Sequence, residues 1–167
     1  SGEGGSVSVF AGVTTSEGQT GGNMQLAAGA ATNGIGGAVS VATGDGGSGD
    51  SGSLTVTTGA ATEGKGGDVL LSVGQGDSGV GGSVSVFAGI TTSAGQTGGD
   101  LQLAAGQATN GIGGAVSLYS GDGGDGVSGD MTMYTGAGAN GDSGSIMLST
   151  GLSTAGMGGD MLLSVGT

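Results

Sequence analysis

The chain has 167 residues, of which 47 are Gly and none is Pro, Cys, His, Arg or Trp. Thirteen acidic residues against the single cation Lys65 give a net charge of −12 at pH 7. This composition lacks the usual proton shuttles, thiol nucleophiles and soft metal ligands, and its charge disfavours nucleic acids and anionic membrane surfaces. We therefore expect no enzyme, no catalytic residue, no metal site, no membrane insertion, and no cofactor beyond loosely bound cations.

A tandem repeat organises the whole chain. Each repeat begins at the second glycine of a Gly-Gly or Ser-Gly pair, and the interval is 15 residues except in the first and sixth repeats, where it is 17. The eleven starting glycines are Gly5, Gly22, Gly37, Gly52, Gly67, Gly82, Gly99, Gly114, Gly129, Gly144 and Gly159. A longer repeat divides the chain into residues 4–80, with five repeats, and 81–167, with six, of which the last is incomplete.

The first half of each repeat, here called the apolar segment, alternates apolar and other residues up to a closing glycine, as in residues 5–12. Alternation at period two predicts a strand of about six residues with one apolar face. Two aliphatic or Met residues, here called the aliphatic pair, occupy that face in every repeat. The pairs are Val7/Val9, Met24/Leu26, Val39/Val41, Leu54/Val56, Val69/Leu71, Val84/Val86, Leu101/Leu103, Val116/Leu118, Met131/Met133, Ile146/Leu148 and Met161/Leu163.

The second half of each repeat, the return arm, is small and polar. Asn33, Asn110 and Asn140 each precede a glycine, which predicts turns at these positions. The closing glycines, from Gly12 to Gly166, predict either a positive φ or a close approach to another backbone segment.

These features predict an all-β fold: a parallel β-solenoid, or flattened β-helix, of about eleven rungs forming one continuous domain over residues 1–167. Rungs stacked ~4.8 Å apart would join the aliphatic pairs into ladders. Lys65 falls in the column that holds Asp50 one rung earlier, which predicts an ion pair between rungs. Neither end carries a capping segment, so we expect repeats to continue beyond both ends, through a longer chain or head-to-tail stacking.

A second apolar set points away from the expected core. It contains all four aromatic residues and three aliphatic or Met residues, and we call it the lateral face because it is a candidate surface for contact with another filament or a carbohydrate matrix. The lateral face consists of Phe10, Leu70, Phe87, Tyr119, Tyr134, Met147 and Leu162.

Three binding or catalytic alternatives fit less well. The calcium-binding nonapeptide GGxGxDxUx is not matched, because in residues 46–51 the Asp comes one place early. Ice binding by rows of Thr-x-Thr is matched only at Thr55 and Thr57. Glycoside hydrolysis needs two carboxyl groups with distinct environments, which a uniform rod does not provide.

Residues 4–12 (GGSVSVFAG) and 113–121 (GGAVSLYSG) carry a family resemblance. The chain resembles the Gly/Ser/Thr/Val-rich tandem-repeat solenoid proteins of microbial and microalgal extracellular surfaces. The resemblance implies an extracellular structural role and supplies no catalytic residue or ligand. Together with the uncapped ends and the lateral face, it leads us to expect a non-enzymatic structural protein of an extracellular or cell-surface fibril. We expect self-association head-to-tail and laterally, with matrix polysaccharide as a further candidate partner. The alternative is a surface-binding solenoid, either an adhesin stalk or an ice-binding protein.

Overall fold

The computed structural model describes residues 4–166, and within that range the chain forms no helix and no strand. The predicted all-β parallel β-solenoid of eleven rungs, or flattened β-helix, is therefore wrong. The chain divides into two compact units, Ser1–Val84 and Ser85–Thr167. The expectation about the chain ends, Ser1 and Thr167, lies outside the described residues.

Local hydrogen bonds close six of the return arms. The N–H of Gly22 donates to the carbonyl of Gly12 at 2.7 Å, so the end of one apolar segment meets the start of the next. We call this junction between a closing glycine and the next starting glycine the neck. The same bond forms at five further necks: Gly37 to Gly29, Gly52 to Gly44, Gly99 to Gly89, Gly114 to Gly106 and Gly129 to Gly121, at 2.9–3.1 Å.

The neck is also the most sheltered part of the repeat. A Cβ added to Gly22 would lie 2.9 Å from the Gly12 nitrogen and 3.5 Å from the Ala11 Cβ, so glycine is required for this approach. Six described residues are less exposed than all the others: Ala11 and its counterparts Ala88, Ser120 and Thr135, which precede closing glycines, and Gly123 and Ser153 in return arms. The expectation that closing glycines pass close to another backbone segment is therefore confirmed at these necks.

The bends of the return arms fall where the sequence predicts turns. Bends occupy residues 32–34, 109–111 and 139–141, which contain the three Asn-Gly pairs. In the two 17-residue repeats the bends at 16–18 and 93–95 contain Gly18 and Gly95, with φ of 72° and 74°. Among the described residues only these two and Gly79 have positive φ, so the positive φ expected as one option for the closing glycines does not occur.

The pairing of the backbone explains why the solenoid does not form. The neck bonds join glycines eight residues apart, or ten in the long repeats, whereas stacked rungs require bonds between residues about 15 apart. Over residues 4–166 the backbone makes nine hydrogen bonds to itself, although a folded protein makes about two for every three residues. The repeats therefore satisfy few of their own backbone groups and leave the others to water.

Candidate functional site

The lateral face is fully accessible in the structure. Its seven residues expose between 82% and 88% of their surface, and each lies in the apolar segment of its repeat. Phe10 and Leu70 belong to the first unit, and the other five residues belong to the second. The role of this face in lateral contact stays a prediction.

The aliphatic pairs do not form the expected core. No described hydrophobic residue is buried, and in repeats two to ten the pair residues expose between 50% and 76% of their surface. The alternation of the sequence corresponds to a difference in exposure between the two sides of the apolar segments, because the lateral face is more exposed than these pairs. In repeats two to ten, one side of the apolar segment is thus partly covered and the other is open.

A third apolar set was not singled out by the sequence pattern. One or two apolar side chains project from each of seven return arms, with at least 93% of their surface exposed. These arm residues are Val13, Ile35, Val80, Ile90, Ile112, Val127, Leu152 and Met157. The sequence does contain a signal for some of them, since Ile35 and Ile112 directly follow Asn-Gly. However, these residues lie outside the period-two alternation from which the apolar faces were predicted.

The single cation forms a local ion pair. The Lys65 Nζ lies 2.8 Å from an Asp68 carboxylate oxygen, and both side chains are more than three-quarters exposed. The predicted partner Asp50 is therefore replaced by a residue three positions along the chain. This correction has the same cause as the missing ladders, because the repeats do not stack in the register that would bring position 50 beside position 65.

The described residues provide little that resembles a catalytic or metal site. Within residues 4–166 no three acidic side chains come close enough together to hold a metal ion, and no cavity is present. The four side-chain hydrogen bonds found among the described residues are all local, such as that from the Gly156 N–H to the Ser153 Oγ at 3.0 Å. The accessible chemistry of this part of the chain is apolar contact and negative charge.

A membrane-spanning helix is not found in the described part of the chain. No protein family, curated protein or solved structure matches this sequence.

Proposed function

We propose that this protein is a non-enzymatic structural component of an extracellular fibre, in which copies of the chain associate through their aliphatic pairs and lateral faces. The observation that supports this proposal most directly is the exposure of the aliphatic pairs in every repeat. Exposed apolar surface of this extent marks a surface for association.

The total accessible surface supports association with several neighbours. The chain exposes 16596 Å². A folded monomer of 15.0 kDa would expose about 7,000 Å², and the unfolded chain about 22,000 Å². The excess over the folded value is several times the ~1,600 Å² buried in a standard protein interface. A single dimer contact would leave most of that excess exposed, whereas a fibre provides neighbours for each copy on several sides.

The charge of the chain constrains the assembly of the proposed fibre. Copies with a net charge of −12 repel one another, and the repulsion weakens as salt shortens the Debye length from ~30 Å at 0.01 M to ~10 Å at 0.1 M. Loosely bound cations would act in the same way, without a coordinated site. Association is therefore expected to increase with ionic strength.

Electron microscopy and sedimentation velocity of the purified chain test the proposal. We expect filaments at neutral pH that persist in the presence of a chelator and become more abundant as salt rises. Chains that stay monomeric at every salt and protein concentration would refute the fibre. If such monomers bind ice or glycans, the surface-binding alternative takes its place.

Matched variants locate the contact. Val41→Ser removes one residue of an aliphatic pair, while Ile35→Ser removes one apolar side chain of the preceding return arm. We expect the pair variant to raise the concentration needed for assembly and the Ile35 variant to leave it nearly unchanged. Equal effects would mean that general hydrophobicity, and not the aliphatic pairs, drives association.

A further inference from the structure

Three of the four asparagines occupy a shared environment that the proposed function does not use. Asn33, Asn110 and Asn140 lie in exposed bends of the return arms, and each is followed by glycine. The fourth, Asn23, lies in an apolar segment and is followed by Met24. We propose that the three Asn-Gly bends are sites of spontaneous deamidation, converting each Asn through a cyclic imide to an aspartyl or isoaspartyl residue.

The reaction needs no group from outside the bend except water. The backbone nitrogen of Gly34 attacks the Cγ of Asn33, a bond forms between them, and the bond from Cγ to Nδ2 breaks. The amide nitrogen leaves as ammonia and takes up the proton lost from the Gly34 N–H. Water then adds to one of the two imide carbonyls and opens the ring, so that an amide and a water become a carboxylic acid and ammonia without any redox change.

The structure leaves the attacking nitrogens available. Among residues 4–166, the N–H groups of Gly34, Gly111 and Gly141 donate no hydrogen bond to backbone or side chains, and the three asparagine side chains make none. A nitrogen held in a hydrogen bond would have to break it before attack, as the neck amides would. Glycine also presents no Cβ beside its nitrogen, whereas Met24 places a long side chain next to the nitrogen that Asn23 would need.

The consequence is a change of charge at fixed places in the repeat. Each conversion replaces a neutral amide by a carboxylate, so complete reaction at the three sites takes the net charge from −12 to −15. An isoaspartyl product also diverts the backbone through the side-chain carbon. If copies of the chain associate as proposed, this added charge opposes their association, and older chains would assemble less readily than fresh ones.

Peptide mass spectrometry of the full chain, incubated over time in oxygen-labelled water at mildly alkaline pH, tests the inference. We expect the three Asn-Gly sites to gain a carboxyl group that carries the oxygen label, and their isoaspartyl content to rise above that of the fresh chain. Asn23 should stay unchanged. Asn33 and Asn110 should react at equal rates, because residues 31–37 and 108–114 have the same sequence. Reaction at Asn23 as fast as at the other three, or no reaction anywhere, would overturn the inference.

Gly34→Ala provides the matched variant. A Cβ at Gly34 would lie 3.8 Å from the Ala31 Cβ, an ordinary contact, and this glycine does not have a positive φ, so the bend can keep its conformation. The rate at Asn33 should fall toward that of Asn23, while Asn110 in the same molecule keeps its rate. An unchanged rate at Asn33 would contradict the proposed attack by the following nitrogen.

The two proposals fail separately. Deamidation is read from mass and does not require assembly, so filaments without deamidation refute only this inference. Deamidation without filaments refutes only the fibre.

Discussion

Alanine at a neck glycine tests whether the neck determines the path of the chain. In Gly22→Ala the new Cβ would meet the Gly12 nitrogen at 2.9 Å and its carbonyl oxygen at 3.3 Å. Both atoms belong to the backbone and can yield only if the neck opens. We expect the 2.7 Å hydrogen bond from position 22 to the Gly12 carbonyl to be lost.

The size of the effect follows from that bond. A net contribution of about 1 kcal/mol for an intramolecular hydrogen bond corresponds to roughly five-fold protection of its N–H against exchange with solvent, since about 1.4 kcal/mol is a factor of ten. Amide hydrogen exchange measured by NMR, corrected for the intrinsic rate at each residue, should show this protection at position 22 of the unmodified chain. It should fall to about one in Gly22→Ala.

The other side of the same bond supplies the control. A Cβ at Gly12 would meet nothing within 4 Å, so Gly12→Ala should keep the protection at Gly22. The pair Gly99→Ala and Gly89→Ala repeats the comparison, because a Cβ at Gly99 comes 3.1 Å from the Gly89 nitrogen and one at Gly89 is unobstructed. Protection that survives Gly22→Ala, or that disappears equally in Gly12→Ala, would show that steric closure of the neck is not what holds the bond.

Three further substitutions probe the return arms and the ion pair. Gly18→Ala should destabilise its bend by about 1–2 kcal/mol, because φ is 72° at this position and a residue with a Cβ disfavours that conformation. Amide exchange should become faster at Gln19, whose N–H bonds to the Ser16 carbonyl, while Gln96 in the equivalent bend serves as the reference. Ser153→Ala should raise the exchange rate of the Gly156 N–H by about five-fold at most, since one hydrogen bond is removed. Lys65→Ala should leave the sedimentation coefficient of the monomer nearly unchanged, because so exposed a pair contributes about 0–1 kcal/mol, and a marked expansion would contradict this.

The repeat boundaries and the bends could be predicted from the sequence. Starting glycines such as Gly22 and Gly37 are the donors of the neck bonds, and the Asn-Gly pairs lie in the bends. These features depend on neighbours a few residues away, for which glycine spacing and turn chemistry are sufficient evidence. The ion pair of Lys65 was misassigned because its partner was inferred from the assumed stacking of repeats.

Which backbone segments hydrogen-bond to each other could not be predicted from the sequence. Period-two alternation places side chains on two sides of a segment, but it contains no information on which backbone the segment bonds to. A loop of eight residues closes at about 0.6 kcal/mol less entropic cost than one of about twice that length. With glycine at both sides of the neck, the shorter closure is also sterically open, and it competes directly with pairing at a separation of 15 residues.

The relative weight of the two apolar surfaces in the proposed association follows from their exposure. Fully burying an aliphatic or Phe side chain contributes about 1.5–3 kcal/mol. Scaled by the exposed fractions of 62% at Val86 and 87% at Phe87, this leaves about 1–2 and about 1.3–2.6 kcal/mol still to be gained. Every lateral residue therefore offers more than a pair residue of repeats two to ten, yet the pairs recur in all eleven repeats while the lateral face has seven members. Of these two surfaces, the aliphatic pairs thus offer the larger share of free energy to the proposed association, and the lateral face adds a smaller contribution from the opposite side of the apolar segments.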